Sequence, residues 1–193
     1  MTQGEVLTSL EDELQQVVNH AREFVTRTDG RLFTVRPDPM RWSAAECISH
    51  LSITTGQFLP ILSKAIDDAK ASGSSSDRIP AMDWLGSALR WFMEPPFRSK
   101  VKTSQPFVPK SVRAKADALA EFETTQTQLI DLVRRSAGLD LTNMKIKSAF
   151  DRRVHYNVYS AFRIVAAHER RHLWQAEQTV HDLIGGALKE QQA

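Results

Sequence analysis

Apolar residues recur along this chain at every third or fourth position in four long stretches, and almost nowhere at every second position. The first stretch runs from residue 5 to 28, with Leu7, Leu10, Leu14, Val17, Ala21, Phe24 and Val25 on one helical face. The second opens at "RWSAAECISHL", where Ser43 and Glu46 have the spacing of a capping box. Trp42 before the cap is placed to staple onto Cys47. Ile48, Leu51, Thr55, Phe58, Leu62 and Ala65 form its stripe. Pro60 lies inside this pattern and removes a backbone hydrogen bond, so a kink or short break is expected there. The third stretch follows Pro109 with Ser111 as the expected cap, and carries Val112, Ala116, Leu119, Phe122, Leu129 and Val133 up to Gly138. The fourth begins near Asn157 and shows Val158, Phe162, Val165, His172, Ala176, Val180 and Leu183, with Gly185-Gly186 as its expected end. No sheet is expected, and residues 139–156 read as an irregular crossing.

Between the second and third stretches, residues 73–110 hold Pro80, Pro95, Pro96, Pro106 and Pro109 and a run of serines. "MDWLGSALRWF" in this segment reads as a short helix. Trp84, Trp91, Phe92 and Phe97 favour a segment that wraps the surface over a disordered linker, which carries few aromatics. The pattern as a whole predicts an all-α chain: a single domain over residues 1–193, built as a four-helix bundle with one long crossover between helices two and three.

Composition adds exclusions. The net charge of +2 is too small to argue for nucleic acid. Arg98, Lys100 and Lys102, then Lys145 and Lys147, then Arg152 and Arg153 form short basic runs that read as solvated faces. Cys47 stands alone, which excludes an internal disulfide and a cysteine-rich metal site. The polar, acidic start lacks a signal-peptide layout, and no stretch reaches the roughly 18 apolar residues of a membrane helix. A cytoplasmic protein is expected.

The candidate chemistry lies in "AAHERRHLWQAEQ". His168 and His172 are one helical turn apart with Glu169 between them, which spells H-E-x-x-H. Three readings compete: a zinc protease, another kind of metal site, and a hydrogen-bonded histidine pair half in the core. His172 falls within the apolar stripe and His168 on its edge. His50 lies on the edge of the second helix's stripe, where it can meet them across a groove between helices. Three neutral imidazoles with open positions suit a divalent ion, zinc or nickel, with affinity falling as the rings protonate at about pH 6. His20, His155 and His181 read as surface or packing residues. Glu46, Glu169 and Gln175 are candidate partners for the outer ring nitrogens, although Glu46 also serves as the cap. A protease needs a third ligand downstream. Gln178 stands where one protease class has histidine, and Glu190 falls after the paired glycines. Without a base role, Glu169 is left to orient a ligand or to pair with Arg170, Arg171 or a neighbouring helix.

"RWSAAECISHL", "FVP" before the third helix and "AAHERRHLWQAEQ" together resemble the DinB-like family, also known as YfiT-like metalloenzymes. The resemblance runs from the first helix to Gly186. It implies a four-helix bundle, commonly a homodimer, with a divalent metal on His50, His168 and His172. It also implies small-molecule substrates and, in some relatives, a low-molecular-weight thiol that the metal activates for S-transfer or isomerisation. The alternative is a non-catalytic binding or structural module with a vestigial metal site.

Overall fold

The computed structural model describes residues 1–96 and 102–190, so Phe97, Arg98 and Lys100 lie outside the described residues. The described residues are all-α apart from one small hairpin. Helix α1 spans Gln3–Arg27, with Thr2 and Glu5 forming a capping box. A short α2, Gly30–Thr34, follows at once, capped by Asp29. Helix α3 covers Ala44–Ala71 and α4 covers Trp84–Met93. One 3-10 turn occupies Gln105–Phe107. Helix α5 is Lys115–Arg135, and α6 is Val158–Glu190. Strands β1 (Lys145–Lys147) and β2 (His155–Asn157) pair antiparallel ahead of α6. Helix α3 packs on both α5 and α6, and α1 packs on the same two, which makes the four long helices a bundle.

Several elements depart from the sequence expectation. Helix α3 runs unbroken through Pro60, which sits on the exposed side while Phe58 and Leu62 are buried on either side of it. Helix α5 begins four residues after Ser111, with Ala114 at its cap and no side-chain cap bond. Val112 is exposed outside it, and Ala118 rather than Ala116 is buried. Helix α6 continues through Gly185-Gly186, because neither glycine takes the left-handed backbone that would end it, whereas Gly138 does at φ 78°. The hairpin is also unforeseen. Ile146 faces Tyr156 across it, and both are buried.

The crossover is fastened at Asp83. Its carboxylate caps α4 through Gly86 N–H and accepts from Lys145 Nζ at 2.7 Å and Asn157 N–H at 2.8 Å. Asn157 in turn caps α6, accepting from Ser160 N–H at 2.7 Å. Trp84 and Trp91 point outward on α4, with relative exposures of 81% and 62%. The expected wrapping therefore belongs to the other face of α4, where Leu89 packs on the core.

Two apolar clusters fill the interior. One takes residues 6–14 of α1, 58–69 of α3, 129–133 of α5 and 158–166 of α6. The other takes 17–25 of α1, 44–51 of α3, 118–122 of α5 and 173–180 of α6, and includes the buried Cys47. Burial pushes the Cys47 thiol well above its ordinary range, and Glu46 adds to this. Between the clusters lies a polar layer of Thr54, Thr55, Gln126, His168, Glu169 and His172, all buried. Among the described residues no helix is long and apolar enough to cross a membrane.

Candidate metal centre

His50 stands about two turns into α3. The helix start is fixed by Ser43, whose hydroxyl accepts from Glu46 N–H while the Glu46 carboxylate accepts from Ser43 N–H at 2.9 Å. Arg36 donates to the same carboxylate through Nε at 2.8 Å and through a second guanidinium N–H. Burial works against the charge on Glu46, but Arg36 and Ser43 outweigh it and hold the acid below its usual range. Glu46 thus acts as cap and ion-pair partner. The acceptor for His50 is instead the Phe107 carbonyl, 2.7 Å from Nδ1. No side-chain signal marks a backbone carbonyl, so the sequence could not reveal it.

His168 and His172 sit on successive turns of α6 and face His50. Their ring centroids lie 5.1 Å and 4.4 Å from that of His50 and 4.5 Å from each other. One ligand atom from each ring lies within 4.8 Å of the other two. The three are 2%, 4% and 9% exposed. Trp42 lies 4.9 Å from His50 and 6.1 Å from His172, and Phe150 lies 5.3 Å from His168. Trp42 packs on the Cys47 cluster as expected of a staple, and it also walls the histidines.

Burial holds all three rings neutral. It brings His50 down to about 4, against a smaller upward pull from the Phe107 carbonyl. His168 is lowered well below the ordinary value by burial, then by His172, His50 and Arg171. His172 is lowered by burial, His50 and Arg171, with Gln175 opposing. Proton competition near pH 6, expected from free imidazole, is therefore displaced to more acid pH.

The donor set fits a cation. The His50 Nδ1 proton is committed to Phe107, so the Nε2 lone pair is left facing His168 Nε2 at 3.3 Å. Among the described residues, His172 Nδ1 is buried without a hydrogen-bond partner. Neutral imidazoles with converging nitrogens are the donors that zinc and nickel favour.

A family model described as the DinB superfamily matches residues 10–176. The chain belongs to the DinB superfamily. No curated protein and no solved structure matched it. In this DinB superfamily chain the H-E-x-x-H pair meets its third imidazole upstream, on α3, and Glu169 turns away from the ring nitrogens. The Glu169 Oε1 accepts from Thr55 Oγ1 at 2.9 Å and from Gln126 Nε2. Arg170 pairs with Glu94 and Glu13, and Arg171 donates to the Phe92 carbonyl at 3.0 Å. His20 pairs with Glu177, while His155 and His181 are exposed, all apart from the trio. Gln126 was missed because it occupies a stripe position that apolar counting skips over.

Proposed function

We propose that His50, His168 and His172 hold one divalent ion, zinc or nickel, and that the protein is a metalloenzyme acting on a small molecule. The observation that carries this reading is the convergence of three buried, neutral imidazoles from two helices within 4.8 Å. A bound ion would supply Lewis acidity, lowering the pKa of a coordinated water or thiol so that a nucleophile exists at neutral pH. The chain's own residues do the rest. Phe107 fixes the His50 tautomer through its carbonyl. Trp42 and Phe150 keep water from the rings and lower the local dielectric. Three uncharged ligands add no negative charge, which favours an anionic fourth ligand. A low-molecular-weight thiolate in an S-transfer reaction is consistent with that preference.

The test is metal content of the purified protein by mass spectrometry, beside His172→Ala. The expected result is about one equivalent in the parent and a large loss in the variant. Equal metal in both would overturn the assignment. The enclosure of the trio favours, as a second reading, a helical module whose site is vestigial. Its signature is a folded protein that remains metal-free after incubation with zinc, nickel and manganese.

A further inference from the structure

We infer that the Thr54 hydroxyl is the protein's own hydrogen-bond donor to the exogenous ligand that completes coordination at the three-histidine site. This rests on the metal reading above and goes beyond it by assigning a residue that contacts the fourth ligand. Thr54 is one turn after His50 on α3 and fully buried. A threonine inside a helix ordinarily directs its hydroxyl to the carbonyl one turn back. Thr124 and Thr127 do so here, to Ala120 and Glu123, and Ser52 does so to Ile48. Thr54 departs from that habit. Among the described residues its hydroxyl partner is the His50 ring, with Oγ1 3.5 Å from Nε2.

That nitrogen identifies the place. His50 Nδ1 carries the proton given to Phe107, so Nε2 is the lone-pair nitrogen, and it also faces His168 Nε2 at 3.3 Å. Thr54 Oγ1 therefore lies beside the lone-pair nitrogen that His50 turns toward His168. One lone pair cannot serve both a cation and the Thr54 hydroxyl. Once the pair is committed to the ion, the hydroxyl becomes a buried donor in need of an acceptor. Neighbouring Thr55 cannot take this role, because its hydroxyl is committed to Glu169. The rings of Trp42 and Phe150 supply the apolar walls. With the hydroxyl turned toward Nε2 and not to the His50 carbonyl one turn back, the acceptor beside it is the ligand itself, so the site selects donor atoms that keep a lone pair after coordination, such as hydroxide, thiolate or azide.

The experiment uses the full chain loaded with cobalt(II) and titrated with azide by visible absorption, in the parent and in Thr54→Val, Thr54→Ala and Thr54→Ser. Thr54→Val keeps the branched shape, and Thr54→Ala gives a second test should the valine crowd the site. The expected result is one cobalt per chain throughout, azide binding weakened roughly tenfold in the Val and Ala variants, and near-parent binding in Ser. Equal azide affinity in the parent, Val and Ala proteins, each holding cobalt, would overturn the Thr54 role and leave the metal site standing. Loss of cobalt from Val and Ala alone would assign the hydroxyl to holding the ion and also overturn it. A parent that takes up no cobalt would sink the metal reading itself, and this inference with it.

Discussion

Glu169 brings a carboxyl group into the buried middle of the bundle, where Oε1 receives two hydrogen bonds and Oε2 has no hydrogen-bond partner among the described residues. Burial raises its pKa to about 7, while Gln126, Thr55 and Arg170 pull downward and Glu13 adds to the rise. A carboxyl whose folded pKa exceeds its ordinary 4.5 binds a proton on folding. Its stabilising contribution in the metal-free protein is full below about 4.5 and is lost as pH rises through about 7. Glu169→Gln keeps a neutral acceptor there. At pH 8 the Gln variant is expected to match or exceed the parent in urea unfolding. Glu169→Ala strands the Thr55 and Gln126 donors and leaves a void, a loss of about 2–4 kcal/mol. An alanine variant as stable as the parent would show that this polar layer carries no structural weight.

At the scale of elements, α4 meets the first turn of α6 at Gly86, where an added Cβ would lie 2.2 Å from Ser160 Oγ and 2.3 Å from its Cβ. Ser160 also accepts from Asp83 N–H at 3.1 Å, so it is not free to move aside. Gly86→Ala is expected to push α4 off α6 and lower stability by about 1–3 kcal/mol, measured by thermal unfolding. An unchanged midpoint would mean that α4 is only loosely docked. The four long helices were legible because each repeats its apolar positions over many turns, and the Ser43–Glu46 box marked one start to the residue. The rest was illegible for physical reasons. The three-residue strands and the five-residue α2 are too short to show a period. Helix α6 passes through two glycines because a helix tolerates them at about 1 kcal/mol each. The onset of α5 was obscured because Ala114 makes no side-chain cap bond.

For the whole molecule, the histidine cluster joins stability to pH, and under the proposed function it would join it to metal as well. The histidine cluster itself was legible, since His50, His168 and His172 each stood on or beside a helical stripe. The Phe107 carbonyl and Thr54 emerge only when the helices meet. His50 drops to about 4 on folding from an ordinary 6.5, so the unfolded chain binds more protons between those values. Its contribution is full above about 6.5 and is lost as pH falls toward about 4. Metal present at a hundredfold excess over its dissociation constant would add about 2.7 kcal/mol, a rise of roughly 5–10 °C in unfolding midpoint. Calorimetry of metal-loaded and chelator-treated protein should show that gap at pH 7 and its collapse toward pH 4, where the His50 ring takes up a proton. A gap that persists unchanged at pH 4 would argue against imidazole ligands.

The burial of Cys47 has a practical consequence. As the chain's single thiol, enclosed beside the ligand helix's capped end, it is shielded from maleimides and disulfide reagents until the core opens. Reagent uptake would then report opening of the second apolar cluster in unmodified protein. A cysteine introduced on the surface would take a fluorophore alone, with no need to remove the native one.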